Sequence, residues 1–182
     1  MLALMYMMKK TKMTKNLTIL LVFLIANGTS TLAQNYSDAL AVYKSGQASI
    51  ALKMFTRLAD QDDLEAQGML SSIYTHGDVG ISSNPKLAFK WAYAAATNES
   101  LGSIYNKARG QYHVGYSYAF GSGATLDYSL AYVWMAVAMS NDAYGAESML
   151  AWLSHKLSAA DISKAQAMAR ECMSSGYKKC GY

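Results

Sequence analysis

The chain has 182 residues, 52% of them hydrophobic and 15% charged, enough for one globular domain with a packed core and far from the composition of a disordered polypeptide. One proline and 13 glycines exclude a linker-rich or collagen-like chain. The net charge of +4 comes entirely from Lys9, Lys10, Lys12 and Lys15, because the twelve basic residues from Gln34 onward balance twelve acidic ones. A domain without a cationic surplus has no general attraction for phosphate backbones, so nucleic acid is not an expected partner.

The first predicted element is an export segment over residues 1–33. A basic stretch, Lys9 to Lys15, precedes an apolar run from Leu17 to Ala26 that only Thr18 interrupts, and Thr31-Leu32-Ala33 places small residues where a signal peptidase reads them. Cleavage is expected after Ala33, giving a periplasmic or secreted chain. A membrane anchor needs about 20 apolar residues, and this run is about half that, so no stable membrane insertion is expected after cleavage. The two cysteines, Cys172 and Cys180, both fall within the last eleven residues. In an oxidising compartment they are expected to pair as a disulfide. His76, His113 and His155 do not share a metal-binding spacing with them, so no metal site and no cofactor are expected.

The chain after the export segment repeats itself. Ala66-Gln67-Gly68-Met69-Leu70-Ser71-Ser72-Ile73-Tyr74-Thr75-His76-Gly77 matches Gly110-Gln111-Tyr112-His113-Val114-Gly115-Tyr116-Ser117-Tyr118-Ala119-Phe120-Gly121 at an offset of 44. Asn84 to Ala96 then matches Asp127 to Met139 at an offset of 43, with Ala88, Trp91 and Ala95 falling on Ala131, Trp134 and Ala138. Each unit reads as two helices. The first carries an apolar stripe (Leu70, Ser71, Tyr74; Val114, Gly115, Tyr118) and stops at Gly77 or Gly121, where a left-handed residue is expected. Asn84 and Asp127 are expected N-caps, with Pro85 at the first helical position.

This pattern resembles the Sel1-like repeat family, relatives of the tetratricopeptide repeat with a longer loop. The resemblance implies an all-α fold: an α/α solenoid of helix-turn-helix units with a C-terminal capping helix. A repeat domain is expected over residues 34–182, with units at about 37–60, 64–99 and 108–142 and trailing and capping helices over 143–174. The leading unit has a short, tetratricopeptide-like turn at Gly46. About seven residues, Leu101 to Lys107, are inserted before the third unit. Ser158, with Asp161 three residues later, is expected to cap the last helix.

Little in the chain points to catalysis. Ser83-Asn84-Pro85-Lys86 matches the Ser-x-x-Lys of penicillin-recognising enzymes, but the companion Ser-Asp-Asn and Lys-Thr-Gly elements are missing, and the segment is better explained by helix capping. Two glycosylation-type sequons occur, Asn35-Tyr36-Ser37 and Asn98-Glu99-Ser100. The constellation most suggestive of function is aromatic. At about 100° per residue, Tyr112, Tyr116 and Phe120 share a stripe of the helix well away from Val114 and Tyr118. The resemblance to tetratricopeptide geometry implies that this stripe lines a groove with Ser72, Thr75 and His76 of the preceding unit and Trp152, His155 and Lys156 of the following one. Such a groove takes a protein or peptide partner. The competing reading is that the stripe packs against the neighbouring helix of the array. The expected function is therefore an exported, non-enzymatic scaffold or adaptor, with an envelope enzyme or binding protein acting on peptidoglycan, or a secreted effector, as alternatives.

Overall fold

The computed structural model describes residues 31–78, 80–100 and 102–181. The expected export segment falls outside them as far as residue 30. Among the described residues there are eight helices and no strand: α1 Thr31–Lys44, α2 Ala48–Ala59, α3 Leu64–His76, α4 Pro85–Thr97, α5 Ile104–Phe120, α6 Tyr128–Ser140, α7 Ala146–Ser154 and α8 Ala159–Ser174. Consecutive helices pack as hairpins from α1 through α7. The last helix departs from this order and lies against α6. There it covers the end of the array with a polar outer surface, as a solenoid requires.

Local chemistry sets the helix limits. The side chains of Asn84 and Asp127 accept hydrogen bonds from Leu87 N and Leu130 N at 3.1 and 2.9 Å, each cap worth about 1 kcal/mol. Pro85 sits at the first helical position, and Ser158 caps α8 by accepting from Asp161 N. Gly121 ends α5 in the left-handed conformation. Gly77 differs from the expectation: its φ is positive, but ψ is 175°, because the loop turns at once into the short bridge between Asp78 and Ile81. The insertion also differs from a simple loop. It begins α5 at Ile104, four residues ahead of Ala108, so this helix has 17 residues against 13 in α3.

Two apolar cores follow from the repeats. Ala51, Phe55, Leu58, Leu70, Ile73 and Trp91 form the first; Val114, Val133, Trp134, Met135, Leu153 and Cys172 belong to the second. The two tryptophans hold matching places, one in each core. Tyr74 is only half-buried at the edge of its core. Small residues let the helices approach: a Cβ at Gly110 would stand 2.9 Å from both Ala92 O and Ala96 N.

Polar groups also repeat. Gln67 Nε2 donates to Ala59 O (3.2 Å), and Asn98 Nδ2 donates to Gln67 Oε1 and Asp62 O, both at 2.9 Å. One unit later, Gln111 Nε2 donates to Ala96 O (3.3 Å) and Asn141 Nδ2 to Gln111 Oε1 (2.8 Å). Both glutamines are buried, so each bond satisfies a group that would otherwise be costly inside the array. Asn98 is buried as well, and its side chain is engaged at both ends, with Oδ1 accepting from Ser100 N at 2.8 Å.

The array closes through the tail. Cys172 and Cys180 are joined by a disulfide, as their position suggests. Asn141 Nδ2 also donates to Tyr177 Oη at 3.1 Å, and Lys178 Nζ lies 2.8 Å from Glu99 Oε1. The tail thus rests against the end of α6 and the loop before α5.

Candidate functional site

The first helices of successive units, α3, α5 and α7, share one face of the molecule. On α5 the apolar stripe points inward, with Val114 buried and Tyr118 half-buried against Phe89 (5.5 Å between rings). The other stripe stays partly open. Tyr116 and Phe120 are 41% and 49% exposed, which matters because a ring serving only as packing would lose most of this area. Their rings lie 4.5 Å apart, and Phe120 stacks on Trp152 of α7 at 5.3 Å. Trp152 meets Tyr128 edge-on at 5.9 Å, and Lys156 Nζ stands 5.3 Å above its ring. The structure therefore brings Tyr116, Phe120, Trp152 and Lys156 into one cluster across two units.

Tyr112 takes a separate place. It stands against Gly145 and lines a cavity of about 350 Å³ between the first turns of α5 and the α6–α7 loop. Tyr105, Ala108, Arg109, Asp142 and Tyr144 line the same slot. Because Tyr112 faces Gly145 while Phe120 faces Trp152, α5 and α7 run in the same direction. Tyr105 is 68% exposed, and Tyr144 is fully exposed. Tyr105 and Arg109 were not among the expected site residues. They continue the Tyr112, Tyr116, Phe120 stripe backwards at helical spacing, and that periodicity is the signal that finds them.

The α3 side contributes less. Thr75 joins His113, Tyr116, Ser117 and Ser122 around a narrow cleft of about 40 Å³, and its hydroxyl donates to Ser71 O at 2.7 Å. Ser72 is half-buried and accepts, through its carbonyl, from His76 Nδ1 at 3.1 Å. His76 is exposed, and so is His155, the C-cap of α7. His113 is the most perturbed group here. Burial, then the nearby Arg109 and His76 charges, push its pKa down to about 4, so it is neutral at physiological pH.

Ser83 and Lys86 are both exposed, and Asn84 and Pro85 between them start α4. Among the described residues no group of three or more His, Cys, Asp or Glu side chains could hold a metal ion, and no helix is long and apolar enough to cross a membrane.

Two-helix units stacked with matching caps, matching tryptophans and matching Gln–Asn pairs define an all-α repeat solenoid. The Sel1 repeat model matches residues 64–100 and 108–140; the chain carries Sel1 repeats, and the two matches correspond to the α3–α4 and α5–α6 hairpins. No curated protein matches the chain. Among solved structures it is similar to a protective antigen present in uropathogenic Escherichia coli strains and displaying an SLR fold, at 15% identity and a TM-score of 0.35. That match covers 85% of this chain and 48% of the antigen, so the chain spans about half the length of that protein.

Proposed function

We infer that this protein is an exported, non-enzymatic adaptor that holds a protein or peptide partner along the face made by α3, α5 and α7, in the cell envelope or outside the cell. Sel1 repeats generally serve protein–protein interaction, which supports a protein or peptide as the partner. The observation that carries the reading is the open aromatic cluster of Tyr116, Phe120 and Trp152, large rings left partly in water on a rigid helical frame. Rings of this kind contribute much binding energy per residue with little ordering cost. Export is supported by the basic and apolar segment ahead of Gln34 and by the paired cysteines.

A native pull-down from an envelope fraction tests this directly. The wild-type chain is expected to retain a partner that Tyr116→Ala and Trp152→Ala lose, while Lys53→Ala on the exposed surface of α2 keeps it. Identical retention by all four proteins would place the interaction elsewhere and contradict the reading.

A further inference from the structure

The chain from Gln34 onward is neutral, yet the aromatic face is not electrically even. Arg109 lines the slot at one end, with its guanidinium 5.8 Å from the Tyr105 ring centre; Lys156 stands over Trp152 at the other. Among the described residues neither cation enters an ion pair. Each is instead held over a ring, which positions the charge; one terminal nitrogen of Arg109 also lies close over Gly68 of α3, and its remaining donors and those of Lys156 are available to a ligand. His76, His113 and His155 occupy the remaining polar positions of the face, and the field of Arg109 reaches both His113 and Tyr36. The acids nearby are Asp142, on the loop wall of the slot, and Asp63 and Glu65 at the start of α3, whose fields also reach Tyr36.

Between the two cations the face is apolar. The slot has Ala108 as a small floor residue and Tyr105, Tyr112 and Tyr144 as walls, and its volume of about 350 Å³ accepts one large side chain. From Arg109 to Phe120, which stacks beneath Trp152, α5 advances eleven residues, or about 16 Å. An extended peptide covers that distance in roughly five residues.

Resting on the groove reading above, we propose that this face binds an acidic peptide segment with one bulky aromatic anchor. The anchor fills the Tyr105–Tyr112–Tyr144 slot, and two carboxylates roughly five residues apart meet Arg109 and Lys156. The stretch between them lies over Tyr116 and Phe120.

Fluorescence polarisation with three labelled synthetic peptides tests the proposal: one with a tryptophan anchor and two glutamates at this spacing, one with lysines replacing the glutamates, and one with alanine replacing the tryptophan. The acidic aromatic peptide is expected to bind about tenfold or more tightly than either control, and Lys156→Gln and Arg109→Gln each to weaken it about fivefold or more. Lys156 is exposed, so its replacement leaves folding intact. If the lysine peptide binds as well as the acidic one, the charge proposal is overturned. Loss of both in Tyr116→Ala would then still support the groove. If no aromatic peptide binds the wild-type chain, the proposal is overturned, while the groove reading stands or falls separately on the pull-down with Tyr116→Ala and Trp152→Ala.

Discussion

His113 is a histidine that folding keeps neutral. Burial is the main cause of its pKa of about 4, and the electrostatic effects of Arg109 and then His76 add to it. In the unfolded chain the same ring titrates near 6.5. Between those values the unfolded state binds more protons, so stability is complete above about pH 6.5 and is lost as the pH falls towards 4, by up to about 3 kcal/mol. Urea unfolding at neutral and acidic pH should show this slope for the wild-type chain and a flatter one for His113→Gln. Parallel curves would show that the histidine is solvated. The aromatic residues of the site were partly legible at this scale. Periodicity alone separates Tyr112, Tyr116 and Phe120 from Val114 and Tyr118, since a helix cannot bury both stripes in one core. Tyr105 and Arg109 escaped because the internal match begins at Gly110, and the residues before it have no counterpart to compare with.

Among the elements, the helix hairpins were the most legible part of the fold. Caps, glycine stops and the Ala-Trp-Ala spacing all act within a few residues, so the sequence displays them without tertiary information. The buried Gln–Asn pairs were less visible. Their members lie 30 or 31 residues apart, and only the offsets of 44 and 43 hint that Gln67 and Gln111, and Asn98 and Asn141, play the same parts. Asn141→Ala leaves Oε1 of the fully buried Gln111 without its donor, and it also removes the bond that holds Tyr177 of the tail. It should cost about 1 to 3 kcal/mol in chemical denaturation. A change within experimental scatter would mean that the pair is replaceable by simple packing. The seat of α8 on α6 was not legible, because a capping helix is placed by the surface left uncovered rather than by its own pattern.

At the scale of the whole molecule, the repeat period determines an array whose first helices lie side by side on one face. Neutrality of the chain from Gln34 hides how charge is distributed there, and the slot forms only when the α6–α7 loop meets the extra turn of α5. No local pattern encodes that meeting. The central claim is that one stripe of α5 serves the core and its neighbour serves a partner. Side-by-side thermal melts of Tyr116→Ala and Trp134→Ala test it without knowledge of the ligand. Trp134 is 1% exposed inside the second core, so its truncation should cost about 3 to 5 kcal/mol and lower the melting temperature sharply. Tyr116→Ala should melt close to the wild-type chain. Equally large drops in the two variants would make Tyr116 a packing residue and contradict the account.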